Sequence, residues 1–138
     1  MTSFVLDASV TLAWCFRDES TPAAWRLLDR LRTAPGHVPV LWALEVGNIL
    51  LGAERRRRIT GARIAEFLGI LDDLDIRVDP DLPGRAFRDV LSLARERRLT
   101  TYDAAYLELA TRLGLPLATK DRALARAAAG LGVKTLAA

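Results

Sequence analysis

The stretch SFVLDAS, residues 3–9, decides the fold. Ser3 to Leu6 is a short apolar run containing a β-branched valine, and it stops at Asp7. It reads as a buried strand. Val10 to Phe16 then favours helix, with a break around Arg17 to Thr21. A buried strand handing over directly to a helix opens a β–α alternation, and the rest of the chain repeats it.

Pro22 suits the first turn of the next helix, where its missing N–H is not needed. Ala24, Leu27, Leu28 and Leu31 follow at helical spacing, and Ala34 to Gly36 ends the run. His37 to Val40 is a second strand, with Pro39 marking an edge or a strand end. Leu41 to about Arg57 is a long helical pattern. Thr60 caps a helix running to about Leu71. Asp75 to Val78 is a third strand, and Asp79 to Gly84 is turn-like. Arg85 to Arg98 reads as an amphipathic helix with Phe87, Val90, Leu91 and Ala94 on one face. Thr100 or Thr101 caps a helix over Tyr102 to Leu113, which Gly114 terminates. Pro116 to Ala118 is a fourth strand, Asp121 to Ala129 a helix stopped by Gly130, and Val133 to Leu136 a last strand. The expected fold class is α/β: a mainly parallel central sheet of about four to five short strands flanked by helices.

The chain has 138 residues, 51% hydrophobic and 27% charged, which fits one globular domain over 1–138. A single cysteine, Cys15, leaves no intramolecular disulfide. The N-terminal segment lacks a basic region and a long apolar run, and no stretch is long and apolar enough to span a bilayer, so a cytoplasmic location is expected. The net charge is +3 and the pI about 9.6. The basic side is almost all arginine, with Lys120 and Lys134 the only lysines. Arginine's planar fork suits phosphate, so this balance permits a nucleic-acid partner without demanding one. The run Arg55 to Arg58 is the obvious phosphate-binding candidate. Its plainer reading is a solvated run at a helix C-terminus, where cations suit the helix dipole. Arg17 and Arg122 lie close to candidate site elements.

Four acids fall just after strands or at helix starts: Asp7, Glu45, Asp103 and Asp121. In open α/β sheets, ligands bind outside the carboxyl ends of the strands, so Asp7 and Asp121 can face one crevice. Glu45 lies one turn into its helix, and Asn48 shares its face. Converging carboxylates without matching cations repel one another, and a hard divalent cation resolves this. A lone histidine, His37, and a lone cysteine argue against zinc. Each acid also has a plainer role: Asp7, Asp103 and Asp121 as helix caps or first-turn acids, and Glu45 as a solvated helix residue.

These residues carry a resemblance. The matching pieces are Phe4-Val-Leu-Asp-Ala-Ser9, Glu45-Val-Gly-Asn48-Ile-Leu50, Thr101-Tyr-Asp103-Ala-Ala-Tyr106 and Leu117-Ala-Thr119-Lys-Asp121. In this order the chain resembles the PIN-domain nucleases, most closely the VapC toxins of bacterial toxin–antitoxin pairs, over essentially its whole length. The resemblance implies a negative pocket binding magnesium or manganese, and single-strand RNA cleavage by metal-activated water. It places Asp7, Glu45, Asp103 and Asp121 on the metal-binding and catalytic positions. Ser9 and Thr119 fall on its hydroxyl positions and Asn48 on a supporting polar position. It also implies a VapB-type antitoxin as partner, RNA as substrate and a homodimer. Trp14, Trp25 and Trp42 suit either the core or an interface. The alternatives are a non-toxin PIN-type nuclease in RNA processing, a non-catalytic RNA- or protein-binding module, and a HAD-type phosphatase. The last needs a second Asp two residues after the first, where this chain has Ser9.

Overall fold

The structure, a computed structural model, describes residues 2–138. Five parallel strands form one sheet: β1 (Phe4–Leu6), β2 (Gly36–Pro39), β3 (Ile76–Asp79), β4 (Leu117–Ala118) and β5 (Thr135–Leu136). Their order is β3-β2-β1-β4-β5. The chain builds outward from β1 through β2 to β3, then returns to the other side of β1 for β4 and β5. The order therefore reverses between β1 and β4, the switch point where a crevice opens at the strands' carboxyl ends. Phe4, Val5 and Leu6 are fully buried, as expected for a strand covered on both faces.

Helices flank the sheet: α1 (Ala8–Ala13), α2 (Pro22–Arg30), α3 (Trp42–Arg55), α4 (Gly61–Asp72), α5 (Leu82–Arg85), α6 (Leu91–Arg97), α7 (Thr101–Leu113) and α8 (Arg122–Gly130). A short 3₁₀ turn, Arg17–Glu19, fills the expected break before α2. Several starts follow local chemistry. Pro22 is the first residue of α2, and the Thr21, Thr60 and Thr100 side chains each accept the N–H three residues on. Gly114 closes α7 at φ 65°, a left-handed backbone that glycine adopts without Cβ strain.

Of the two readings of Pro39, the strand end holds and the edge does not: β2 is an inner strand, and Pro39 is its last residue, where the missing N–H interrupts least. Other expectations need correcting. The helix expected from Arg85 to Arg98 starts at Leu82 and widens into a π-turn over Ala86–Val90. Each π-turn inserts a residue and rotates the side chains after it. Phe87 is consequently 89% exposed and Leu91 is also exposed, while Val90 and Ala94 pack on Ala104 and Ala105 of α7. Of the tryptophans, Trp14 and Trp42 are buried but Trp25 is 44% exposed.

Candidate active site

Leu6 and Ala118 are register partners at the ends of β1 and β4, so Asp7 and Thr119 leave the sheet side by side. The Asp7 amide donates to the Ala118 carbonyl at 3.1 Å. Asp7 is only 6% exposed and makes no side-chain cap to α1, which removes its plainer role. Ser9 Oγ and Thr119 Oγ1 both donate to its Oδ2, at 2.8 and 2.6 Å. Each hydroxyl also accepts an amide: Lys120 N–H on Ser9 Oγ and Asp121 N–H on Thr119 Oγ1, both at 3.0 Å. With an acceptor role already taken, each hydroxyl proton is directed to Asp7. The Asp7 carboxylate is thereby fixed by two elements at once.

Glu45 stands in the first turn of α3, half-buried. Tyr106, fully buried on α7, donates its hydroxyl to Glu45 Oε1 at 2.6 Å. A second chain ties the start of α3 to the end of β1. Trp42 Nε1 donates to Thr11 Oγ1 at 3.0 Å, and Thr11 Oγ1 to the Asp7 carbonyl at 3.3 Å. Asp103 lies in the first turn of α7, its amide held by Thr100 Oγ1 at 3.1 Å. Asp121 caps α8, with one carboxylate oxygen accepting Leu124 N–H at 3.0 Å. The plainer capping role thus holds for one oxygen of Asp121. Asn48 is exposed a turn beyond Glu45 and makes no side-chain hydrogen bond among the described residues.

The four acids share one electrostatic neighbourhood. Burial, and after it the charge of Asp121, raises the Asp7 carboxyl above its ordinary range, against the pull of the Thr119 and Ser9 hydroxyls. Burial likewise raises Glu45, with Asp7 and Asp103 adding to it and the Tyr106 hydroxyl opposing. Burial raises Asp103, with Asp7 and Asp121 adding to it. None of the four is in an ion pair among the described residues.

This donor set fits a hard divalent cation: carboxylate oxygens in excess, no thiolate, no imidazole, and charge left uncompensated. The fit is one of chemistry rather than of a finished cage. No three His, Cys, Asp or Glu side chains among the described residues are already gathered around one point. His37 sits within β2, in register with Val5 and Arg77.

Reading the sequence missed Tyr106, Thr11 and Trp42 as supports of the site. Tyr106 carried a usable signal: it lies one turn from Asp103 among Ala104 to Ala110, all buried. A buried tyrosine hydroxyl needs a partner.

The PIN domain family model matches residues 4–130, and the chain belongs to the PIN domain family. Two relatives from Pyrobaculum aerophilum are named nucleases. Exonuclease VapC9 is 37% identical over 94 residues, covering 67% of each chain. Ribonuclease VapC3 is 31% identical over 121 residues, covering 88% of this chain and 91% of its own. Among solved structures, P. aerophilum PAE2754 superposes with a TM-score of 0.67 at 28% identity, over 91% of this chain and 84% of that one. A chain of a toxin–antitoxin complex from Klebsiella pneumoniae shares the fold, with a TM-score of 0.56 at 19% identity over 96% of both chains.

Proposed function

We propose that the chain is a magnesium-dependent endoribonuclease specific for single-stranded RNA, acting in the cytoplasm as the toxin of a VapBC-type pair. One observation carries this reading: a buried, doubly hydrogen-bonded Asp7 at the switch point, repelled by Asp103 and Asp121 and near Glu45, with none of the four in an ion pair among the described residues. The VapC names of the relatives support the nuclease, and the toxin–antitoxin neighbour supports an antitoxin partner. Manganese would serve the same oxygen donors.

In this reading Asp7, Glu45, Asp103 and Asp121 hold the divalent ion. When bound, the ion stabilises charge developing on the phosphoryl oxygens and makes water a better nucleophile. The chain's own residues set the geometry. Ser9 and Thr119 present Asp7 in one orientation, Tyr106 fixes Glu45, and Thr100 and the α8 cap fix the helix starts bearing Asp103 and Asp121. Asn48 supports the site from the α3 face. The whole chain, 1–138, acts as one PIN domain, paired with a second copy as a homodimer.

The test is cleavage of a labelled single-stranded RNA with magnesium, with EDTA, and by Asp103→Asn. Cleavage only by wild-type protein with metal is expected. Cutting by Asp103→Asn at the wild-type rate, or undiminished cutting in EDTA, would end the reading.

A further inference from the structure

The arginines of this chain fall into two sets. Arg32, Arg58, Arg63, Arg77, Arg85 and Arg112 each pair with a carboxylate. The other twelve do not, among the described residues, and Arg97, Arg98, Arg122 and Arg126 are among these twelve. Arg97, Arg98 and Arg126 line a notch of about 430 Å³ between the α6–α7 turn and α8. Its one acid is Glu96. Arg97 Nε is buried and takes no acceptor from the protein, so no protein partner holds that nitrogen.

The segments that line the notch run on in the chain to two of the acids. Arg98 lies two residues before Thr100, the cap of the helix bearing Asp103, and Arg122 directly follows Asp121. Helices α7 and α8 both begin here, and a helix N-terminus favours anions. An acidic pocket alone repels a polyanion, so positive charge beside it must hold the strand. In the Arg55 to Arg58 run, Arg58 is already engaged: its Nη2 donates to both carboxylate oxygens of Asp18 at 2.8 Å, and its guanidinium stacks on the Phe16 ring.

We propose that the notch of Arg97, Arg98 and Arg126 is a subsite for the phosphodiester backbone of single-stranded RNA, with Arg122, next to Asp121 in the chain, extending it. The proposal rests on the ribonuclease reading above. The guanidinium forks grip phosphate oxygens and read no base edges, so the subsite contributes affinity without sequence preference.

The test uses the whole chain with Arg98→Asn and Arg126→Gln combined. Both residues are exposed, and asparagine tolerates the left-handed backbone at Arg98, φ 55°. Binding of a short labelled single-stranded RNA is followed in EDTA across a salt series, so that nothing is cut. The double variant is expected to bind about tenfold more weakly, with the slope of log K on log salt shallower by about 1.4, two phosphate contacts' worth. With magnesium, KM should rise while kcat holds, and Arg126→Lys should retain binding. Wild-type affinity and slope in the double variant would overturn the proposal. So would equal weakening by Arg26→Gln with Arg32→Gln, neither of which lines the notch, which would reduce the effect to net charge. Unchanged RNA binding with lost binding of an acidic peptide would assign the notch to a protein partner instead. If wild-type protein neither bound nor cut RNA, the ribonuclease reading itself would fall.

Discussion

At the scale of single residues, the site depends on hydroxyl groups as much as on acids. Thr119 Oγ1 serves Asp7 and the Asp121 amide together. Thr119→Val keeps the shape but leaves that amide without its acceptor and Asp7 with one donor fewer. A loss of about 1–3 kcal/mol in unfolding free energy is expected, the usual cost of stranding a buried polar group. Tyr106→Phe differs, because half-buried Glu45 can turn to water. It should cost only about 0.5–1.5 kcal/mol in denaturant unfolding. Its larger effect should be weaker metal affinity, read as a smaller metal-induced rise in Tm. An unchanged metal titration in Tyr106→Phe would sink the positioning role given to Tyr106.

At the scale of elements, helix starts place two of the acids. Thr60 and Thr100 cap α4 and α7 by the same hydrogen bond, at 3.1 Å each. Alanine at either should lower stability by about 1 kcal/mol. Only Thr100→Ala should also slow RNA cleavage, since α7 bears Asp103 and α4 bears no site residue. Equal cleavage by the two variants would contradict the site. The far end of α7 is pinned differently. Arg112 binds Asp79 of β3 through two bonds, 3.2 and 2.7 Å, and Glu108 of its own helix. Burial raises Asp79, but the bonds and charge of Arg112 outweigh this and hold its carboxyl below the ordinary range. Removing Arg112 would strand two largely buried carboxylates, and Arg112→Met is expected to cost about 3–5 kcal/mol in denaturant unfolding.

At the scale of the whole molecule, the raised acids make stability depend on pH in a definite sense. Asp7, Glu45 and Asp103 hold protons more tightly folded than unfolded. As pH rises from the ordinary carboxylate range through their raised folded values, the unfolded chain has released protons that the native state still keeps, so stability falls. Asp79 works oppositely: its contribution is present above the ordinary range and is lost as pH falls through its depressed folded value. Metal-free protein should therefore lose Tm from mildly acidic towards neutral pH. Asp7→Asn should flatten that decline and raise the neutral, metal-free Tm by about 2–6 °C, for roughly 1 kcal/mol relieved. Magnesium should raise the wild-type Tm at neutral pH by binding only the native state. A metal-free Asp7→Asn protein with the wild-type pH profile would refute the electrostatic account.

Local pattern in the sequence determined the strand–helix alternation, the threonine caps, the Gly114 stop and the position of each acid after a strand or at a helix start. These follow from side-chain period, cap chemistry and backbone freedom within a few neighbouring residues. The tertiary structure alone decided the strand order that sets β4 beside β1. It also decided the π-turn that exposes Phe87, the bond from Tyr106 to Glu45, and which arginines find carboxylates. Each of these depends on packing or pairing with partners distant in the chain, which no local pattern specifies.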